Sequence, residues 1–132
     1  MSIPLICIAL LALLCISLGL TVSLIRGKAN TLFSSPNNPE DPLYKMVRAH
    51  GNSIEYVPII ALLLFILSLG EQAPWVLWCM VAATASRYLI VAGIVFPQSM
   101  AKPNPLRFIG AMGTYLAGFG LCFALFLQAI NG

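Results

Sequence analysis

Four long apolar runs, separated by polar or proline-rich stretches, constrain this chain more than any other feature. They cover residues 3–25, 46–69, 75–96 and 106–130. A helix that crosses the hydrocarbon core of a bilayer needs about 20 mostly apolar residues, so each run is long enough to span a membrane. The pattern therefore predicts an all-α membrane protein, a four-transmembrane-helix bundle that forms a single domain over residues 1–132.

The composition points to the same environment. The chain has seven Lys or Arg and four Asp or Glu, eleven charges in all, where a soluble protein of its length would carry about 33. Hydrophobic residues make up 60% and the mean hydropathy is +0.94, more apolar surface than a 14.2 kDa interior can hide. An ordinary water-soluble protein is therefore excluded. Nucleic-acid binding is excluded as well, because the positive charges form no dense basic face.

The first apolar run could be read as a signal peptide or as a retained helix. No Lys or Arg precedes it, it is longer than the apolar region of a signal peptide, and no small-x-small cleavage site follows it. These features favour a retained first transmembrane helix.

The positive charges predict the orientation. Loop 1, predicted over residues 27–45, and the predicted third loop, residues 97–105, are both rich in proline, which breaks helices. Six of the seven positive side chains flank these two loops: Arg26, Lys28, Lys45, Arg48, Lys102 and Arg107. The positive-inside rule then predicts that loops 1 and 3 are cytoplasmic and that both termini lie on the opposite side.

A polar stripe follows one side of the second predicted helix. Its members are Arg48, Asn52, Glu55 and Tyr56, whereas His50 points away from them at 100° per residue. Ionisable side chains at membrane depth are costly and usually mark a site. The stripe is therefore the first candidate for a functional site.

Glu55 of this stripe can meet Arg87 of the third helix. Each lies nine residues from the predicted loop end of its helix, about 13 Å at 1.5 Å per residue. One interpretation is an interhelical ion pair that only holds the bundle in register. The other is an anion-binding site, because Arg48, Arg87 and Arg107 outnumber a single carboxylate.

Small residues and cysteines have simpler interpretations. Helix backbones can approach closely where small residues recur, as they do in the fourth run at Gly110, Gly113, Thr114, Ala117 and Gly118. The four cysteines have no metal-like spacing, so no metal site is expected and they are interpreted as apolar fillers: Cys7, Cys15, Cys79 and Cys122.

The string from Arg48 to Pro58, RAHGNSIEYVP, resembles the signature of the MAPEG family, the membrane-associated proteins in eicosanoid and glutathione metabolism. The spacing Arg-x3-Asn-x2-Glu-x2-Pro at the start of a second transmembrane helix carries the resemblance. The wider frame is similar too, with an arginine ending the first span, an Arg and a Gly six residues apart in the third, and an arginine opening the fourth. The exact string looks most like the bacterial branch.

This resemblance implies a homotrimer of four-helix subunits in a bacterial inner membrane, with glutathione as co-substrate and interface sites that open to the cytoplasm. It implies a glutathione-dependent enzyme of transferase or peroxidase type that takes lipophilic electrophiles from the bilayer lipids. It further implies that Arg107 is catalytic, near the sulfur. The implied glutathione-binding residues are Arg26, reaching from a neighbouring helix, and Arg48, Asn52, Glu55, Tyr56 and Arg87.

The sequence departs from the eukaryotic members at two positions. Those members have tyrosines three and seven residues after the arginine of the third span, where this chain has Ile90 and Ile94. This difference leaves open a non-catalytic trimeric scaffold or accessory subunit with the same fold. A small exporter is a further alternative, but the first span has no Asp or Glu and Glu55 is the sole candidate for coupling protons.

Overall fold

The computed structural model describes residues 2–32 and 37–131. In these ranges the chain forms four α-helices and no strand: α1 (Ile3–Lys28), α2 (Pro42–Leu67), α3 (Pro74–Val95) and α4 (Pro105–Asn131). Each helix is long and apolar enough, by length and composition, to cross a membrane. The prediction of an all-α chain with four membrane-length helices is confirmed.

The helix boundaries differ from the predicted ones mainly around the first loop. Helix α1 continues to Lys28 rather than ending at residue 25, and α2 begins at Pro42 rather than at residue 46. Asp41 explains the early start, because its Oδ1 accepts the backbone N–H groups of Leu43 at 2.8 Å and Tyr44 at 3.1 Å. Proline is suited to the first helical position, so Pro42 can follow the Asp41 cap as the first residue of α2. The part of the predicted loop at residues 33–36 lies outside the described residues.

Two polar contacts between helix ends define the direction of the helices. Lys45, near the start of α2, donates from Nζ to the carbonyl oxygens of Val95 at 3.3 Å and Pro97 at 3.0 Å, at the end of α3. Gln72 follows α2 and donates to Gln128 near the end of α4, at 3.4 Å. Helices α2 and α4 therefore run in the same direction, with α3 antiparallel to both. We call the end where α2 and α4 start the basic end, after its Lys45, Arg48, Lys102 and Arg107.

Helices α3 and α4 pack with their backbones in close approach. A Cβ atom added to Gly110 would lie 2.8 Å from both Ile90 N and Ser86 O, and one added to Gly120 would lie 2.8 Å from Cys79 Sγ. Backbone atoms cannot move aside, so glycine is required at Gly110, whereas the Cys79 side chain at Gly120 can rotate away. Gly118, which the small-residue pattern also included, has no described atom within 4 Å of such a Cβ and takes no part in the contact.

The core is formed by two groups of apolar side chains. The larger lies toward the end opposite the basic end and includes the fully buried Leu11, Leu64, Met80 and Leu121, one from each helix. The smaller lies nearer the basic end and contains Leu14, Leu18, Ala49, Ile90 and Ile94. Among the described residues, Arg87 is the fully buried charge, and it lies on α3 between Ala83 of the larger group and Ile90 of the smaller.

Candidate functional site

A cavity of about 410 Å³ opens at the basic end, between α2 and α4 and over α3. Its lining residues are Arg48, Asn52, Ile90, Ile94, Met100, Pro103, Asn104, Arg107, Phe108 and Ala111. Two guanidinium groups thus share one concave surface with two amides and several apolar side chains. Such a mixture is typical of sites that bind a small polar molecule and hold its orientation.

Helix α2 contributes the polar wall of this cavity. Arg48, Asn52 and Tyr56 follow one another at four-residue intervals, so they lie on one face of the helix, one turn apart. Arg48 is exposed, whereas Asn52 and Tyr56 are half-buried. The stripe therefore becomes less charged and more enclosed with distance from the basic end.

Arg87 of α3 lies behind this stripe and is fully buried. Its Nη2 donates to both Asn52 oxygens, the backbone carbonyl at 2.9 Å and the side-chain Oδ1 at 2.5 Å. Its guanidinium carbon lies 4.9 Å from the centroid of the Tyr56 ring, a cation–π contact. Arg87 thus fixes the positions of two cavity-side residues at once.

The guanidinium of Arg87 is only partly satisfied. Its Nε and Nη1 are buried and have no hydrogen-bond partner among the residues that the structure describes. A buried charge without its full set of partners is costly, and sites that retain one are often functional.

The interpretation that paired Glu55 with Arg87 is wrong. No ion pair joins them in the described part of the chain, because Asn52 receives the guanidinium instead and Glu55 is exposed. Glu55 lies about 100° around α2 from Tyr56, the residue whose ring Arg87 contacts. The approximate depth along the helix was right, but the direction of the side chain was not.

Helix α4 contributes the opposite wall. Arg107 and Ala111 line the cavity one turn apart, and Tyr115 follows one turn deeper on the same face. The Arg107 Nη1 donates to the carbonyl oxygen of Met100 at 2.9 Å, which holds the guanidinium beside the loop that precedes α4. Asn104 begins this helix, because its Oδ1 accepts the N–H groups of Leu106 at 2.9 Å and Arg107 at 3.3 Å.

Comparison with known protein families identifies this architecture. The model of the MAPEG family matches residues 4–127 of the chain. The chain belongs to the MAPEG family. No curated protein and no solved structure matches it significantly. MAPEG membership fits a glutathione-related membrane enzyme or an accessory role, and leaves the particular activity to be inferred from the site.

The structure brings together some of the residues that the MAPEG resemblance implied for ligand binding. Arg48, Asn52 and Arg107 line the same cavity, and Tyr56 is tied to them through Arg87. Arg26 does not line this cavity. It lies with Ser23, Gly27, Asn30, Thr31 and Leu32 around a separate cavity of about 530 Å³.

Ile90 and Ile94, the positions where this MAPEG chain lacks tyrosines, do line the cavity. Both side chains are nearly buried, at 7% and 5% exposure, and they make its floor apolar. The two positions at which the sequence departs from the pattern of the eukaryotic members therefore belong to the cavity and not to a remote surface.

His50 lies outside the cavity. A Cβ atom added to Gly19 of α1 would be 3.3 Å from the His50 Nε2, so the imidazole packs against the first helix. This agrees with the helical position expected for it, opposite the polar stripe.

Tyr115 of α4, one turn beyond the cavity-lining Ala111, was not predicted from the sequence. The hydroxyl oxygens of Tyr115 and Tyr56 are 3.1 Å apart, and their rings meet edge to face with centroids separated by 6.1 Å. The pair joins α4 to α2 one turn deeper than Asn52 and Ala111, which line the cavity. The interval from Arg107 to Tyr115 is eight residues, as is that from Arg48 to Tyr56 on α2, but equal intervals do not show that the two faces meet.

Proposed function

We propose that this protein is a glutathione-dependent membrane enzyme, of transferase or peroxidase type, that acts on hydrophobic electrophiles. The cavity between α2 and α4 carries the proposal, because it combines the Arg48 and Arg107 guanidinium groups with the fixed amide of Asn52. Glutathione is a net anion with two carboxylates, and arginine binds carboxylates through paired hydrogen bonds. The peptide amides of the ligand can pair with Asn52.

The proposed assembly is a homotrimer in a bacterial inner membrane, with loops 1 and 3 in the cytoplasm. Arg26 supports an oligomeric site, since it lies at the basic end of its subunit but outside the cavity that contains Arg48. In the trimer it would reach a ligand carboxylate at a neighbouring subunit. Glu55, exposed on α2, is proposed to bind the ligand's ammonium group there.

The chemistry requires an ionised sulfur. A free thiol with a pKa of about 8.5 is only a few per cent ionised at neutral pH. The permanent charge of Arg107 at the cavity wall favours the thiolate, and a shift of two pKa units would correspond to about 2.7 kcal/mol. Arg107 acts in this scheme as a fixed electrostatic stabiliser and transfers no proton.

The second substrate reaches the sulfur from the bilayer. Ile90, Ile94 and Ala111 give the cavity an apolar surface below its charged mouth, and apolar compounds concentrate in lipid. The mouth then selects glutathione by charge, and the apolar part selects the electrophile by hydrophobicity.

Replacing Arg107 with alanine tests the proposal. Conjugation of a lipophilic electrophile should fall at least a hundredfold, while glutathione still binds through Arg48 and Asn52. Lys102→Ala is the matched control, because Lys102 is an exposed cation of the same end that does not line the cavity. Unchanged turnover in the Arg107 variant would reject the catalytic role of this residue.

The second candidate function is a non-catalytic scaffold or accessory subunit with the MAPEG fold. The apolar floor at Ile90 and Ile94 favours it. A thermal-unfolding titration separates the two, since a ligand at 100 times its dissociation constant stabilises the folded protein by about 2.7 kcal/mol. Absence of a shift at millimolar glutathione would favour the scaffold.

A further inference from the structure

The Tyr56–Tyr115 pair joins α2 to α4 one helical turn deeper than Asn52 and Ala111, which line the cavity. Tyr115 is 47% exposed, and its hydroxyl meets that of Tyr56 at 3.1 Å. A hydrogen bond between two membrane-length helices stabilises their contact, and the position of this pair one turn from the cavity suggests a second use for its hydroxyls.

The pair has hydrogen-bonding capacity to spare. Two phenols carry two hydroxyl hydrogens, and their mutual hydrogen bond uses one. The other hydrogen is available to a ligand. Arg87 lies against the Tyr56 ring, and a positive charge there makes the Tyr56 hydroxyl a stronger donor. Tyr56 is then the favoured donor to Tyr115, and Tyr115 keeps its hydrogen for an outside acceptor, since hydrogen bonds in a chain strengthen one another.

The position of Tyr115 on α4 would let this hydrogen reach a ligand in the cavity. Helical side chains lean toward the N-terminus of their helix, and the N-terminus of α4 lies at the basic end. Tyr115 is one turn, about 6 Å, from Ala111, which lines the cavity. A phenol leaning toward the basic end covers that distance. The small side chain of Ala111 leaves space between Tyr115 and Arg107.

We propose that Tyr115 is a substrate-contacting residue whose hydroxyl, oriented by Tyr56 and Arg87, donates a hydrogen bond to the ligand's sulfur at the level of Ala111. This inference rests on the proposed binding of glutathione in the cavity. The sulfur then lies between the charge of Arg107 on one side and the hydroxyl of Tyr115 on the other. Ile90 and Ile94 of α3 offer the ligand no hydrogen-bonding group. In this proposal Tyr115 of α4 supplies one.

The test compares two ligands on two variants of the full-length protein in lipid nanodiscs. The ligands are glutathione and the same tripeptide with alanine in place of cysteine, which has no sulfur. The variants are Tyr115→Phe and Tyr88→Phe. Tyr88 is a matched control, because its hydroxyl donates to the carbonyl oxygen of Leu10 at 2.8 Å and lies outside the cavity.

Tyr115→Phe should weaken glutathione binding about ten- to a hundredfold, the loss expected for one hydrogen bond to a charged acceptor. It should leave the affinity of the alanine peptide unchanged. The ultraviolet band of the bound thiolate should also appear at higher pH in this variant, whereas Tyr88→Phe should match wild type for both ligands and for the band.

Three results would overturn the inference. If Tyr115→Phe weakened the binding of both peptides equally, the hydroxyl would affect the shape of the cavity and would not bond to the sulfur. No weakening of either would remove Tyr115 from the site, while leaving glutathione binding intact. Absence of glutathione binding to the wild-type protein would reject the proposed function, and this inference with it.

Discussion

Two adjacent faces of α4 use opposite kinds of contact. On the face toward α3, Gly110 lets the two backbones approach until a methyl group would not fit, and Gly120 lies against the Cys79 side chain. On the face toward α2, Arg107 and Ala111 line an open cavity, and the helices touch through the hydroxyls of Tyr115 and Tyr56. A single helix is therefore packed tightly on one side and held apart from its neighbour on the other.

This difference shows how a small membrane protein can keep a polar cavity. Lipid supplies no hydrophobic force between helices, so close backbone packing provides much of the attraction between α3 and α4. With α4 held against α3, the space between α4 and α2 need not be filled. We infer that the face of α4 that contains Gly110 stabilises the fold and that the face that contains Arg107 and Tyr115 binds the ligand.

The largest expected effect comes from disturbing the packed face. Gly110→Ala should lower the free energy of unfolding by about 3 kcal/mol, because the added methyl group meets backbone atoms of α3 that cannot rotate away. Gly118→Ala is the matched control on the same helix. It has no described atom within reach and should change stability by at most about 1 kcal/mol, in the stabilising direction.

Denaturant titration of the purified protein in detergent measures both variants. Similar losses at Gly110 and Gly118 would mean that the helix contact in solution is not the one described.

A smaller change in free energy is expected from a substitution at Arg87, which lies behind the cavity. Arg87→Met should weaken glutathione binding about tenfold, about 1.4 kcal/mol, because Asn52 and the Tyr56 ring lose the group that positions them. Stability should change by less than about 1 kcal/mol, since a buried guanidinium with two unsatisfied nitrogens contributes little net stabilisation.

Binding calorimetry and denaturant titration on the same samples test this second prediction. Thr84→Val is the control, a buried polar residue of α3 whose hydroxyl donates to the carbonyl oxygen of Met80 in its own helix. A large loss of stability in Arg87→Met with unchanged affinity would make Arg87 a structural residue and contradict the division between the two faces.

The fold was predictable from the sequence because it depends mainly on the lengths of the apolar runs along the chain. The lengths of apolar runs indicated four membrane-length helices, and the errors fell at ends set by local hydrogen bonds. Asp41 looked like part of a polar loop, and only the structure shows that its side chain caps α2.

The site was predictable only in part because it depends on how each helix is rotated relative to its neighbours. The stripe from Arg48 to Tyr56 could be read from helical spacing alone. The partner of Arg87 could not, since Asn52 and Glu55 lie at similar depth and only the rotation of α2 against α3 selects Asn52. Tyr115 was missed for a related reason, since nothing in the sequence indicates which face of α4 turns toward α2.

Filling the cavity tests most directly whether glutathione binds between α2 and α4. Ala111→Phe places an aromatic ring in the cavity, and Ala85→Phe places the same ring in the apolar groove between α1 and α3. Titration calorimetry with glutathione should show binding to the wild-type protein and to Ala85→Phe, and no measurable binding to Ala111→Phe, with all three proteins folded. Binding of glutathione to Ala111→Phe with wild-type affinity would contradict the assignment of the cavity as the ligand site.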